Sequence, residues 1–289
     1  MSEPLVSILT PCFNDGPTLG RALRSLVGQT MGEWECVVVD DGSGRAVRPV
    51  VEEVGDGRIR LIEFGENRGR SVARQAALDA AGGEFVAMLD ADDWYYPDKL
   101  EKQVAVLRAR PGLVAVSSGM AVVDEDNELV GMRGFERGVF RVFRGRGDRF
   151  PEVAFPPIMI RREAVEGVRF DPALERSEDL DFLMRVLAGR KYGVMGEALY
   201  AYQEVFGEES MQEALVGFRN QRRIFRRRLG QAPLVAGRQY VKSVIKTGIY
   251  EAARVVGGGE LLWKRRNRVA SSWERERFFT TKGAEGSKV

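Results

Sequence analysis

The chain of 289 residues contains no histidine. This excludes a histidine general base, a Ser-His-Asp triad and a histidine-ligated zinc. Acid–base chemistry near neutral pH then falls mainly to carboxylates, and a hard-metal site must be built from oxygen ligands. Cysteine is nearly absent too. Cys12 and Cys36 are the only two. They make neither a disulfide framework nor a metal knuckle, and in their apolar runs they read as buried free thiols. No apolar run approaches the ~18 residues that a membrane span requires. The opening Met1-Ser2-Glu3-Pro4 lacks the basic and apolar regions of a secretory signal. The expected setting is cytoplasmic and reducing, with peripheral contact at the inner face of a membrane left open.

Hydrophobic residues make up 44% and charged residues 30%, the balance of a globular protein. The net charge of +2 conceals an asymmetry. Residues 218–289 hold 18 Lys and Arg against 5 Asp and Glu, a net of +13; the rest holds 26 against 37, a net of −11. The division expected is an acidic body over 1–217 and a basic, mainly helical extension over 218–289.

The first hundred residues alternate strand and helix signals. Strands are expected over 5–10, 35–39, 59–64 and 84–89, and each ends in a polar turn. Helices are expected from a Thr18 cap to about 29, over 71–81 and over 98–108. Near-continuous apolar strands separated by helices imply an α/β fold with a mostly parallel sheet covered on both faces. Ligands of such sheets bind outside the carboxyl ends of the strands. Further on, 114–123 and 157–161 read as strands, and 133–151, dense in Gly and Arg, as a mobile loop. Leu180, Leu183, Met184 and Leu187 recur at helical spacing behind Glu178-Asp179. Past Gly217 the pattern is basic and helical, broken at 230–237 and 257–259.

Four polar clusters can carry chemistry. Asp90-Ala91-Asp92-Asp93 places three carboxylates in four residues, which repel one another unless a cation sits among them. Such a set suits Mg²⁺ or Mn²⁺ bridging to a diphosphate, and equally an acidic capping turn. Asp40-Asp41-Gly42-Ser43 offers a carboxylate to a base or ribose, or is simple turn chemistry. Glu178-Asp179 at a helix start is either a cap or a general base. Asn67, Gly69 and Arg74 form the fourth set, in which Arg74 pairs a phosphate or an acidic neighbour.

In that order these clusters resemble the family-2 inverting glycosyltransferases of the GT-A fold, over roughly residues 4–203. The family's IPTYN-like turn reads here Leu9-Thr10-Pro11-Cys12-Phe13-Asn14. Its VVDDGS reads Val38-Val39-Asp40-Asp41-Gly42-Ser43, and its NxGxxxARN reads Asn67 to Gln75. Its LDADD…PDKLEKQ stands at 89–93 and 97–103, and its ED pair is Glu178-Asp179. Five ordered motifs make the resemblance specific. It departs at Cys12, Gly44 and Gln75, where the family often has Thr or Ser, Thr and Asn.

The resemblance implies a Rossmann-like GT-A domain that moves a sugar from a nucleotide-sugar donor to an acceptor hydroxyl with inversion. Pro11, Cys12, Phe13 and Asn14 would line the nucleotide pocket, and Asp41 would hold the base, most often uracil. Asn67, Gly69, Arg74, Asp90 and Ala91 would complete the donor site. Asp92 would ligate Mn²⁺ or Mg²⁺ on the donor diphosphate, and Asp179 would be the general base. UDP is the favoured nucleotide, with GDP and dTDP open, and the acceptor is unidentified, a lipid-linked one included. Without a QxxRW motif or membrane spans, single-sugar transfer is expected rather than processive synthesis. A sugar-nucleotide nucleotidyltransferase would instead carry a GGxGTRL-like loop where Thr10 to Asn14 stand. A non-catalytic nucleotide-binding scaffold is the other alternative, and Asp41, Asp92 and Asp179 speak against it.

The tail carries Arg222-Arg223, Arg226-Arg227-Arg228 and Lys264-Arg265-Arg266 among Phe225, Leu229, Leu261, Leu262, Trp263 and Trp273. It reads as a membrane-surface anchor, as a helical cover on the acidic body or an oligomer contact, or, least supported, as a nucleic-acid binder.

Overall fold

A computed structural model describes residues 3–44, 47–257, 259 and 266–286. Leu261, Leu262, Trp263, Lys264 and Arg265 of the tail lie outside the described residues. The sheet begins as expected. β1 (Val6–Cys12), β2 (Trp34–Asp40), β3 (Ile59–Glu63) and β4 (Phe85–Met88) pair in parallel in the order β3-β2-β1-β4. Between them run α1 (Gly16–Val27), α2 (Arg48–Val54) and α3 (Arg70–Asp79).

Alternate residues of each strand serve two separate cores. Val6, Ile8, Cys36 and Val38 pack with Leu19, Leu23 and Leu26 of α1 on one face. Leu9, Val37 and Val39 pack with Ala73 and Ala77 of α3 on the other. Both faces are covered, so the strands are apolar at most positions and their sequences show no regular alternation.

The second half departs from a purely parallel plan. β9 (Met159–Arg161) runs antiparallel between β4 and β6 (Leu113–Val123). β6 pairs in parallel with the long β10 (Lys191–Gln203), and β10 pairs antiparallel with the two-residue β5 (Trp94–Tyr95). β7 (Leu129–Arg133) joins β6, and β8 (Phe140–Arg144) joins β10. Residues 133–151 are therefore not one loop. Phe140 and Arg141 pair with Met195 and Val194, a register that the Gly and Arg content concealed. Thr18 is likewise not the cap of α1. Asp15 holds the cap position, and the Thr18 hydroxyl donates to the Asp15 carbonyl at 3.0 Å.

α4 (Lys99–Ala109), α5 (Arg162–Val165) and α6 (Glu178–Val186) complete the body. α7 (Glu208–Arg228) and α8 (Pro233–Val256) form a hairpin, and Gly217 lies within α7. Ile224 and Phe225 of α7 and Ala236 of α8 share a cluster with Leu174 and Met184. α9 (Ser272–Gly286) docks at the other edge, where Phe278 packs with Trp94, Tyr96 and Met132. Arg227–Asp171 at 2.5 Å and Arg228–Asp181 at 3.1 Å tie the basic hairpin to the acidic body.

Candidate active site

β1 and β2 end side by side, with Pro11 opposite Val39 and Cys12 opposite Asp40. Past this point the chain turns. Asn14 takes the left-handed φ of 62° that Asn tolerates, and its amide accepts from Gly44 N at 2.9 Å. The Asp40 carboxylate accepts from the backbone and hydroxyl of Ser43. Asp41 is buried, and its two oxygens accept from Arg68 N at 2.7 Å and Gly69 N at 2.9 Å. Gly42 makes this approach feasible. Its φ is 72°, and a Cβ there would stand 2.3 Å from the Glu66 carbonyl carbon. Gly69, at φ 90°, then turns the chain into α3. Asp41 thus fixes the loop bearing Asn67. Phe13 is exposed in the turn after β1, and its N–H donates to Asp15 Oδ2 at 2.9 Å.

The three carboxylates after β4 have three different environments. Arg74 Nη2 donates to Asp90 Oδ1 at 2.9 Å. Asp93 is fully buried and accepts from Tyr200 Oη and Gln203 N, both at 2.7 Å, so it anchors β10 rather than facing a ligand. Asp92 stands between them, next to the buried Ala91. Arg21 donates to the Asp92 carbonyl at 2.6 Å while stacking on Trp94, and its charge also favours the Asp92 carboxylate. Burial, then the charges of Asp90 and Asp15, push the Asp92 carboxyl up to about 6. Burial also raises Asp15, with Asp90 adding to it. Asp15 was not among the residues the sequence singled out; it lies in the turn that follows β1, which runs beside β4, and this brings its charge to Asp92.

The second half of the site arrives with α6. Arg74 is buried, and its Nη1 donates to Glu178, itself 1% exposed. Burial works against the Arg74 charge, but Asp90, Glu178 and Asp179 outweigh it and hold the guanidinium above its ordinary range. The sequence left Arg74 to a phosphate or an acidic neighbour; in the structure each of its terminal nitrogens meets a carboxylate. Asp179, partly exposed at the first turn of α6, accepts from Leu180 N at 2.7 Å. The preceding Ser177 takes a left-handed φ of 66°, a strained conformation for a non-glycine residue. Ser177 Oγ donates to the Gly217 carbonyl, and Asn220 Nδ2 to the Arg176 carbonyl. Arg176 pairs with Glu213; burial first, then the charge of Arg70, lower its pKa to about 10. None of Arg176, Asn220 and Tyr200 carries a motif that spacing alone could have revealed.

Among the described residues, no three Asp, Glu, Cys or His side chains converge as a ready cation site. Mg²⁺ and Mn²⁺ bind through one or two carboxylates plus phosphate oxygens and water, so Asp92 and Asp90 could hold one only together with a bound diphosphate. The Asp92 carboxyl, whose ionisation burial and Asp90 oppose, is the group such a cation would relieve.

Comparisons with known proteins address the family and the fold. Residues 7–169 match the family described as Glycosyl transferase family 2. An uncharacterised glycosyltransferase of Methanocaldococcus jannaschii is 26% identical over 208 residues, covering 70% of this chain and 72% of the relative. An Escherichia coli UDP-Glc:alpha-D-GlcNAc-diphosphoundecaprenol beta-1,3-glucosyltransferase is 34% identical over 131 residues, covering 45% of this chain but only 51% of that enzyme. The structure of S. aureus TarS in complex with UDP-GlcNAc superposes with a TM-score of 0.63 at 20% identity, covering 97% of this chain and 80% of the other. At that identity the likeness speaks for the fold, an α/β sheet flanked by helices. The chain belongs to glycosyl transferase family 2 and is a glycosyltransferase.

Proposed function

We propose that the chain transfers one sugar from a UDP-sugar to an acceptor hydroxyl with inversion at the anomeric carbon. The observation that carries this reading is the Arg74 bridge. It joins the strand-end carboxylates, which suit the donor diphosphate, to the start of α6, which bears Asp179. UDP is supported by the UDP and UDP-GlcNAc complexes of TarS. The loop held by Asp41, with Pro11, Cys12, Phe13 and Asn14, is the proposed nucleotide site. Asp92, with Asp90 beside it, would hold Mn²⁺ or Mg²⁺. When bound, that cation would neutralise charge on the departing diphosphate.

Asp179 accepts the proton of the acceptor hydroxyl. The acceptor oxygen forms its bond to the anomeric carbon on the face opposite the diphosphate, and the bond to the phosphate oxygen breaks, releasing UDP. A placed carboxylate base supplies roughly 10²–10⁴ in rate. For the acceptor we favour a lipid-linked saccharide, by analogy with the diphosphoundecaprenol acceptor in the name of the E. coli relative.

The test is stabilisation by a panel of nucleoside diphosphates with and without Mn²⁺, followed by turnover of the best donor and assignment of the product anomer. UDP should shift the melting point only with metal. Asp179→Asn should keep that shift and lose at least about a hundredfold in turnover. Stabilisation by no nucleotide under any condition would overturn the UDP-sugar reading of this site.

A further inference from the structure

α8 has two opposed faces. Ala236, Ser243 and Ala253 are buried, and Ser243 Oγ donates to the Phe218 carbonyl of α7 at 2.7 Å. Arg222 Nη1 donates to Thr247 Oγ1 at 2.6 Å, and Phe218 meets Tyr250 edge to face. The opposite face is apolar and bare. Leu234, Val241, Ile245, Ile249, Val255 and Val256 are all exposed, Leu234 at 88% and Val255 at 87%. At 100° per residue these six fall within an arc of about 120°. Arg238, Lys242 and Lys246 form an i, i+4 ladder of cations that crosses one edge of this arc, Arg238 within it, Lys242 just outside it and Lys246 turned toward α7 over the Phe218 ring. α8 has a single acidic residue, Glu251, and it pairs with Arg254 at 3.2 Å.

We infer that this face of α8 lies in the surface of an anionic lipid bilayer. A helix that is apolar on one side and basic along the flank complements acyl chains and anionic headgroups together. A second copy is a poor occupant. An antiparallel pair would bring the two cationic ladders together, and a parallel pair would offer each ladder one carboxylate that Arg254 already holds. Among the described residues no helix is long and apolar enough to cross a membrane, so the contact is in the plane of the surface.

The hairpin that presents this face is fastened to the catalytic half of the site. α7 receives the Ser177 hydroxyl at Gly217 and holds the Arg176 carbonyl through Asn220, immediately before Glu178 and Asp179. A bilayer under α8 would therefore sit on the structural unit that bears the proposed base, suited to an acceptor presented from lipid. The surface contact itself does not depend on which donor is used.

The test is flotation of the full chain with vesicles of phosphatidylcholine alone and of phosphatidylcholine containing one third phosphatidylglycerol. Wild type should float with the anionic vesicles only, and less so as salt rises. Ile245→Glu with Ile249→Glu should weaken binding at least about tenfold. Arg238→Gln with Lys242→Gln should weaken it roughly 25-fold, about fivefold for each cation removed. Both variants change exposed positions, so their melting points and their nucleotide-dependent stabilisation should match wild type; this separates loss of the surface from failure of the donor site. Absence of wild-type flotation would overturn the inference. So would flotation indifferent to the two glutamates, or an oligomer that those glutamates convert to a monomer.

Discussion

Arg74 holds Asp90 with one terminal nitrogen and Glu178 with the other, so two carboxylates 88 positions apart in the chain share one buried guanidinium. The three residues belong to the α3 face, the end of β4 and the start of α6. The geometry of the site is thus a three-way junction whose centre is a cation contributed by the protein.

Removing that cation should be costly. Arg74→Met leaves Glu178 charged in an apolar setting, a change worth about 3–5 kcal/mol of stability. Thermal unfolding should show the loss, and Glu178→Gln in the same chain should restore part of it. Arg74→Lys keeps the charge but not the fork, so it should fold better than Arg74→Met and still turn over poorly. Equal unfolding of Arg74→Met and wild type would refute the junction.

Much of this was legible before the fold. β1 to β4, α3 and the helix after Glu178 follow from apolar runs and helical spacing, because burial on both faces leaves a direct compositional trace. Asp41, Asp90, Asp92 and Asp179 stand out in the sequence as candidates because each lies where a strand ends or a helix starts. Other features leave no local trace. β8 is half exposed and rich in arginine, so its pairing with β10 comes from tertiary context. Asp93 could not be told from Asp92 by sequence; the Tyr200 hydroxyl, 107 positions away, makes it an anchor. Arg74 could be read as a phosphate ligand because the pattern shows its charge and not its partners.

Gly42 is the position where the Asp41 loop is sterically most exacting. Gly42→Ala must accommodate both a left-handed φ and a Cβ inside the Glu66 backbone. We expect the 66–69 loop to move off Asp41, with a stability loss of at least about 1 kcal/mol from the backbone alone. Nucleotide-dependent stabilisation should fall while Asp179-side variants remain unaffected. Unchanged nucleotide binding in a folded Gly42→Ala protein would detach this loop from the donor site.

α9 should be required for the loop behind Asp92. Phe278 is 1% exposed against Trp94, and Arg277 bonds Asp98 at 2.7 Å while stacking on Tyr96. Phe278→Ala should cost roughly 3–5 kcal/mol if the helix unfolds with the body. A smaller loss accompanied by protease cleavage between 266 and 272 would show that α9 detaches alone. In that second case the metal-dependent nucleotide shift should weaken, since Trp94 loses its cover while Arg21 still holds the Asp92 carbonyl.

Asp92 links function to stability with a definite sign. Its native pKa of about 6 lies above the usual carboxylate value near 3.9, because burial and the charge of Asp90 oppose ionisation. The native state therefore binds the proton more tightly than the unfolded chain. The resulting stability is complete below about pH 4 and is lost as pH rises through 6, up to roughly 3 kcal/mol in all. Asp92→Asn removes this dependence. Without metal, the variant should be more stable than wild type by roughly 1–3 kcal/mol at pH 7.5 and indistinguishable from it at pH 4. With Mn²⁺ and UDP the order should invert, because only the ionised carboxylate can bind the cation. For the same reason, wild-type stabilisation by metal and nucleotide should fade below pH 6. Thermal unfolding across this range, with and without metal, separates the two effects. A less stable Asp92→Asn protein at pH 7.5 without metal would contradict the desolvated charge. A surviving metal-dependent shift in that variant would remove Asp92 from the cation site.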